Sequence, residues 1–499
     1  MDFIKISIHR LTKDRFALCV FLVIIFAAVL RFYNFGGRWG LAYDQARDVL
    51  VARHALSSYK IPLIGPFASA GQFVYGPWWF WILMEMVSIY PSSVIAPWVT
   101  QASLYVAVVW LMIIIGKDMQ NKQFGIILGI LTAISTAQIA QSVNLTSPSM
   151  VGIFSVVSLY FFVRYMRTGL IKNAFCMAFM IAISINIHFQ AIGLLILVPI
   201  SFILDTSKNF KKFLYLILGI FIPFIPLIFF DITNKFFESK NWIEYLRYGQ
   251  YAIYIPNRWL TYAGIYWPDS WAKIIGGTAI IGYIIPLLFV ICAAVVVIRR
   301  RLTRTMIAII LSFLSIFLML RYYRGERIDS YITFLHPFIL IFTGWVIVQM
   351  LKLNRFIGLA LFFIIFTFTL NADLAQIKSG ENFTSIQAEE WRDALINKFP
   401  NKKFSVYDYQ YGNVNKSLPL VLFLENKNKV DDKGLKVGFF IATSKTDFNY
   451  PSIWGNRGGY QILNLEATSS AYLSKEGWAH VNTSQIYKST VEWYKKDKL

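Results

Sequence analysis

GQFVYGPWWFWILMEMVSIY, residues 71–90, is the stretch on which the fold turns. It is apolar enough to suggest a membrane-crossing helix, since about 20 such residues reach across a hydrocarbon core of about 30 Å. Whether it crosses decides the side on which every later loop lies. Eleven other runs are candidate spans: roughly 16–34, 94–116, 123–141, 149–166, 173–187, 189–205, 212–231, 274–298, 305–321, 331–350 and 354–371. With those eleven counted and 71–90 left out, the basic short loops share one side with the basic N-terminus. They hold Lys117 and Lys122; Arg164, Arg167 and Lys172; Lys208, Lys211 and Lys212; Arg299, Arg300, Arg301 and Arg304; Lys352 and Arg355. The positive-inside rule makes that side the cytoplasm. Counting 71–90 as a span would put all of them outside. We therefore read it as an outer-face helix lying at or dipping into the interface, with Trp78, Trp79 and Trp81 in an aromatic belt. The alternative is a short tilted span.

The composition agrees. Of 499 residues, 57% are hydrophobic and 17% aromatic, gathered in long runs, so the expected fold is an α-helical polytopic membrane protein. It has about 11 transmembrane helices plus outer juxtamembrane helices. Lys5, Arg10, Lys13 and Arg15 ahead of an apolar run imitate a signal peptide, but no small-residue cleavage site follows, so the run is read as a retained first span. Cys19, Cys176 and Cys292 all sit in apolar runs, which implies no disulfide framework and no metal knuckle. The net charge of +21 is a matter of loop position and requires no nucleic-acid partner. No Walker-type loop is present: Gly276-Gly277 and Gly458-Gly459 lack phosphate-loop spacing.

This reading puts outside the cytoplasm the first loop at 35–93, short turns around Asn144 and His188, a loop at 232–273, the segment 321–330 and everything after 371. Residues 1–371 form the membrane domain. Residues 372–499 are polar and mixed, with a helical TSIQAEEWRDALINKF, a possible helix LPLVLFLE and strand-like FSVYDY, KVGFFIA and YQILNL. They are expected to form a small extracytoplasmic α/β domain. No fixed-period repeat is visible.

The first outer loop opens with LAYDQARDVLVARHAL, residues 41–56. As a helix it places Asp44, Arg47 and Asp48 on one face. A solvated, salt-bridged helix would look the same. An outward carboxylate at a membrane boundary, followed by an aromatic helix, also suits an enzyme with one lipid and one polar substrate.

Here the sequence resembles the GT-C membrane glycosyltransferases, in particular bacterial relatives of the protein O-mannosyltransferases and the lipid A aminoarabinose transferase. Tyr43-Asp44-Gln45-Ala46-Arg47-Asp48 is similar to the family's acidic element after the first span. IPLIGPFASAGQFVYGPWWFW is similar to its Gly-Pro-aromatic segment, and SVNLTSPSM, NIHFQAIGLL and YITFLHPF also resemble family stretches. Together these cover most of residues 15–350. The resemblance implies a sugar carried on a polyprenyl monophosphate, an extracytoplasmic acceptor and inversion at the anomeric carbon. Asp44 matches the catalytic aspartate, implying a general base for the attacking hydroxyl. Asp48 is expected to orient Arg47 or hold the helix. Gln45 stands where relatives commonly carry Glu, and Asn144 where some carry a second acid. This leaves a divalent cation open but not indicated, and no metal ligands are assigned.

RYYRGERIDSYITF, residues 321–334, carries Arg321, Arg324 and Arg327 against the positive-inside trend, next to Tyr331. Guanidinium forks match phosphate oxygens bidentately, so this run is the candidate cradle for the lipid phosphate. Pairing through Glu326 and Asp329 is the plainer reading. Arg47, Asp48, Tyr75, Asn144, His188, Gln190 and His336 are further candidate substrate contacts; a lone histidine at such places is more often a packing residue. Two competing functions remain at this level. A transporter or flippase for a lipid-linked saccharide would want ionisable residues near the midplane of its spans. A non-catalytic glycan-binding scaffold would tolerate changes at Asp44.

Overall fold

The computed structural model describes residues 14–68, 71–207, 209–249, 258–299, 302–323, 329–379, 383–408, 418–439, 479–486 and 489–495. Two compact units emerge: Met1–Gly40, Asp48–Pro91 and Ile95–Glu381 make the first, and Leu41–Arg47, Ser92–Val94 and Asn382–Leu499 the second, counting described residues only.

The first unit is helical. It begins with α1 (Arg15–Phe32), the short α2 (Phe35–Arg38), α3 (Tyr43–Ser58, whose first turn belongs to the second unit) and α4 (Trp78–Ile89). Next come α5 (Ala96–Met119), α6 (Lys122–Ile134), α7 (Thr136–Val143), α8 (Ser147–Thr168), α9 (Ile171–Ile187) and α10 (Leu197–Leu204). It continues through α11 (Phe210–Thr233), α12 (Phe237–Arg247), α13 (Arg258–Thr261) and α14 (Trp267–Ile274). It closes with α15 (Ala279–Ile298), α16 (Arg304–Tyr322), α17 (His336–Leu353) and α18 (Arg355–Ser379). Among the described residues 8 helices are long and apolar enough to cross a membrane, or up to 9 if the bent pair α6–α7 is one span. The chain is an integral membrane protein. The bent pair, α9, and the helical stretch Phe189–Leu204 account for the other three expected runs.

Three of those runs depart from simple spans. The one expected at 123–141 breaks at Ser135 and bends by 55°. Ser135 caps the start of α7, and its hydroxyl donates to Ile274 O at 2.7 Å. The last carbonyls of α6 have no intrahelical donor. The fully buried Arg31 of α1 supplies one, donating to Thr132 O at 3.2 Å and Ala133 O at 3.1 Å. The runs expected at 189–205 and 331–350 both open as 3-10 helix, over Phe189–Ile196 and Asp329–Leu335.

Residues 71–90 contribute only the 12-residue α4, about 18 Å long at 1.5 Å per residue and short of a hydrocarbon core. Its tryptophans are not a free aromatic belt. Trp78 Nε1 donates to Pro223 O at 2.9 Å and Trp81 Nε1 to Pro62 O at 2.8 Å, while Trp79 is fully buried. Pro223 lies ten residues before the end of α11, about 15 Å along its axis. The start of α4 therefore dips beside α11 instead of resting at its end.

In the second unit, α19 (Phe383–Lys398), β1 (Phe404–Asp408), α20 (Leu418–Glu425) and β2 (Leu435–Phe439) precede a hairpin of β3 (Ala479–Ile486) and β4 (Ser489–Lys495). β1 pairs parallel with β2, Val406 opposite Val437, with α20 in the crossover between them. Trp391, Leu395, Phe404, Leu420 and Leu424 form its core. The strand expected over YQILNL lies outside the described residues. The long helix α18 runs on to Ser379, beyond residue 371 where the sequence changes character.

Candidate functional site

The approach to α3 is held by backbone bonds. Gly40 N donates to Val143 O at 2.9 Å, and Trp98 Nε1 donates to Gly40 O at 2.8 Å. Gln101, fully buried on α5, donates through Nε2 to Gln141 O and Asn144 O, both at 2.8 Å. Asn144 thus enters through its main chain, as the partner of Gly40 and the C-cap of α7. Sequence reasoning missed Trp98 and Gln101: a tryptophan and a glutamine inside a span carry no motif.

Asp44 and Asp48 stand one turn apart on α3 in unlike surroundings. Asp44 Oδ1 pairs with Arg47 Nη1 at 2.9 Å, and its side chain is 65% exposed. The Arg47 guanidinium also lies 5.4 Å from the Tyr43 ring centre. Gln45 turns inward and accepts from Ala42 N at 3.1 Å, closing the helix start. Asp48 is buried and accepts from Trp79 Nε1 at 2.7 Å. Of the two expectations for Asp48, the Trp79 bond supports holding the helix.

A second group of polar side chains gathers on the segment before α4. Tyr75 OH and His188 Nε2 are 2.9 Å apart, and the His188 and Tyr331 ring centres 5.1 Å. Tyr245 of α12 reaches Tyr323 OH at 3.2 Å and packs on Phe73, which Trp242 stacks at 4.6 Å. Glu238, at the start of α12, is buried and accepts from Val74 N at 2.9 Å. Asp231 accepts from the Glu238 and Ser239 amides and so caps that helix. Gly76 is required here by close approach: it donates to Asn186 O at 2.8 Å, and a Cβ would overlap the Asn186 side chain. Burial holds the His188 imidazole down, to about 3, so the ring is neutral. Burial likewise pushes the Glu238 carboxyl up to about 7, with Asp231 adding to it against the Val74 and Trp242 hydrogen bonds. Burial also raises the Tyr75 and Tyr323 hydroxyls, so both are protonated donors at neutral pH.

The sequence singled out Tyr75, His188 and Tyr331, and the structure brings these three together. Glu238, Tyr245 and Tyr323 were not singled out, since nothing in an aromatic loop marks which residues fold back on residues 71–76. Gln190 sits on the adjoining 3-10 turn with its Oε1 buried and without a hydrogen-bond partner among the described residues. Arg321 ends α16 and lies 4.6 Å from the Trp259 ring centre. Arg324 and Arg327 lie outside the described residues. Asp329 pairs with Lys273 at 2.8 Å. His336 does not join the group: it is buried, with its Nδ1 3.1 Å from Gln138 Nε2, as a packing histidine would be. Among the described residues no cluster of three or more His, Cys, Asp or Glu is arranged to hold a metal ion.

No family model and no curated protein matches the sequence. Solved structures do match the fold. ArnT from Cupriavidus metallidurans bound to undecaprenyl phosphate superposes with a TM-score of 0.57 at 11% identity, over 81% of this chain and 84% of that one. Its apo form gives 0.56 at 12% identity, with the same coverage. The Archaeoglobus fulgidus oligosaccharyltransferase tethered to an acceptor peptide gives 0.51 at 10% identity, over 83% of this chain. This chain spans 64% of the length of that transferase. Identities this low speak to the fold, and the fold is the GT-C fold of membrane glycosyltransferases.

Proposed function

We propose that this protein is an inverting glycosyltransferase that moves a sugar from a polyprenyl-monophosphate carrier to an acceptor outside the cytoplasm. The observation that carries the reading is Asp44, exposed on the first turn of the helix that follows the first span of a GT-C fold. Asp44 takes the proton of the acceptor hydroxyl as its oxygen attacks the anomeric carbon from the face opposite the phosphate. The phosphate leaves without a general acid and needs positive charge near its oxygens, which Arg321, Arg324 and Arg327 supply. Arg47 pairs with Asp44 in the resting site. Tyr75 and Tyr331, both packed near neutral His188, offer hydroxyl donors to the sugar. Exposed charge at α3 favours this reading over a transporter: Arg31 and Asp373, buried charged residues of the span helices, both lie toward helix ends.

We place the N-terminus in the cytoplasm and residues 372–499 outside it. Single cysteines at Lys122 and Lys433 test this: labelling of position 122 from the outer face would overturn it. The reaction is tested by supplying the purified protein, in lipid, with a panel of polyprenyl-phosphate sugars and following each by mass spectrometry. Consumption of one donor by wild type and not by Asp44→Asn is expected. Consumption by neither would leave a scaffold, and equal consumption by both would move the base away from Asp44.

A further inference from the structure

The basic end of the helix bundle carries a site that glycosyl transfer does not use. Between the end of α8 and the starts of α9 and α11 lies a cavity of about 480 Å³ lined by Gly169, Leu170, Ile171, Lys172, Ser207, Asn209 and Lys212. A second, of about 130 Å³, shares Gly169 and Ser207 with it and is also lined by Arg167, Asp205 and Arg304. The larger volume falls within the range of ligand clefts, about 300–1,000 Å³.

The floor is built from buried polar groups. Lys212 Nζ, with 4% of its side chain exposed, lies 2.6 Å from both Asp205 Oδ2 and Ser207 Oγ. Tyr165 OH donates to the same carboxylate at 2.8 Å. Burial works against that charge, yet Lys212, Ser207 and Tyr165 hold the Asp205 carboxyl down, to about 2, so the floor carries a carboxylate. Gly169 is obligatory above it: its φ is +62°, and a Cβ would come within 3.1 Å of Ser207 Oγ.

The charge on the rim is unbalanced. Arg167 is matched by Asp118 at 2.6 Å. Lys172 and Arg304 are exposed, and among the described residues no carboxylate pairs with either. Apolar side chains continue outward from the same place: Leu170, Phe210 and Phe213 are all exposed. Only 22% of the apolar window of α11 is buried in the protein, so its remaining face is left to acyl chains. Two unmatched cations over a polar floor beside an apolar helix face suit an anion that brings its own hydrocarbon.

We propose that these two adjoining cavities hold the phosphate headgroup of an anionic phospholipid, with Lys172 on the lining of the larger, Arg304 on that of the smaller, and its chains along α11. The chemistry shared with a soluble phosphate is the phosphate itself; the exposed apolar face of α11 favours the lipid. The site does not depend on the catalytic reading.

The test uses the full chain purified in detergent, with bound lipid counted by native mass spectrometry and thermal unfolding read in parallel. Phosphatidylglycerol is expected to bind and stabilise, and phosphatidylcholine to do neither. Lys172→Ala combined with Arg304→Ala should weaken phosphatidylglycerol binding about 30-fold, given the usual contribution of each basic residue at an anionic surface. Lys172→Arg with Arg304→Lys should keep it, which separates lost charge from misfolding. Arg355→Ala, a basic residue at the same end but outside the cavity lining, should leave it unchanged. Equal binding of the two lipids, or wild-type binding by the double alanine variant, would overturn the site. Competition by millimolar inorganic phosphate with no lipid preference would overturn the lipid as its occupant.

Discussion

The first turn of α3 and the segment 71–76 with its partners treat their ionisable groups in opposite ways. Asp44 is two-thirds exposed and pairs with another partly exposed side chain, Arg47, one turn along. Asp48, His188 and Glu238 are each buried, with hydrogen bonds to Trp79, Tyr75 and Val74. An exposed ion pair contributes at most about 1 kcal/mol, so Asp44 is free to change partners as a reaction proceeds. A buried hydrogen-bonded group is costly to strip and therefore holds geometry. On the proposed function, the contrast separates a group that reacts from groups that position, although both kinds are Asp, Glu or His.

The sharpest way to break that contrast is Asp44→Asn. Shape and hydrogen bonding are nearly kept, so the unfolding temperature and donor binding should match wild type. Transfer should fall about 100-fold or more, the usual scale for a lost general base. Single-turnover rates at saturating donor measure it. Full activity would return the first turn of α3 to a solvated, salt-bridged surface.

Asp48 should show the reverse pattern, with stability lost first. Asp48→Ala leaves the Trp79 indole N–H buried without that acceptor, a loss of about 2 kcal/mol. Trp79→Phe should cost a similar amount, and the double variant less than the sum, because the two share one bond. Asp48→Asn keeps an acceptor and should cost less. Thermal unfolding in detergent reads all four, and strict additivity would show that the bond does not couple the helices.

The same contrast explains what the sequence could and could not disclose. All eleven apolar runs are helical, because run length and composition are local properties. The break at Ser135 was not legible: it depends on Arg31, about a hundred residues earlier, donating to Thr132 and Ala133. Asp44 is marked by its neighbours in sequence. Glu238 is not, since its meaning comes from Val74, which lies 164 residues away. Tyr75, His188 and Tyr331 were each legible as candidates, but only the fold brings them together.

A smaller effect concerns the phosphate. Arg324→Lys or Arg327→Lys keeps the charge but loses the planar fork, so use of the donor should weaken about tenfold. The change should appear in the donor KM, with folding untouched. Wild-type turnover after both become alanine would move the cradle elsewhere.

The smallest expected effect sharpens the buried side of the comparison. Glu238 is raised from 4.5 to about 7, so between those values the folded chain holds a proton that the unfolded chain has released. Its contribution is full below pH 4.5 and fades as pH rises through 7. His188 is lowered from 6.5 to about 3, so in that window the unfolded chain holds the extra proton, and stability is lost as pH falls. From pH 4.5 to 6.5 the two slopes oppose each other, and these two groups together should give wild type little pH dependence there. Glu238→Gln should expose the histidine slope, with stability rising toward pH 6.5, and His188→Gln the carboxyl slope, with stability falling toward pH 7. Neither can exceed about 1.4 kcal/mol per pH unit, the limit for one proton. Unfolding temperatures across this range decide it: if the two variants shift the slope in the same direction, one of these groups is not buried against residues 71–76 as the fold implies.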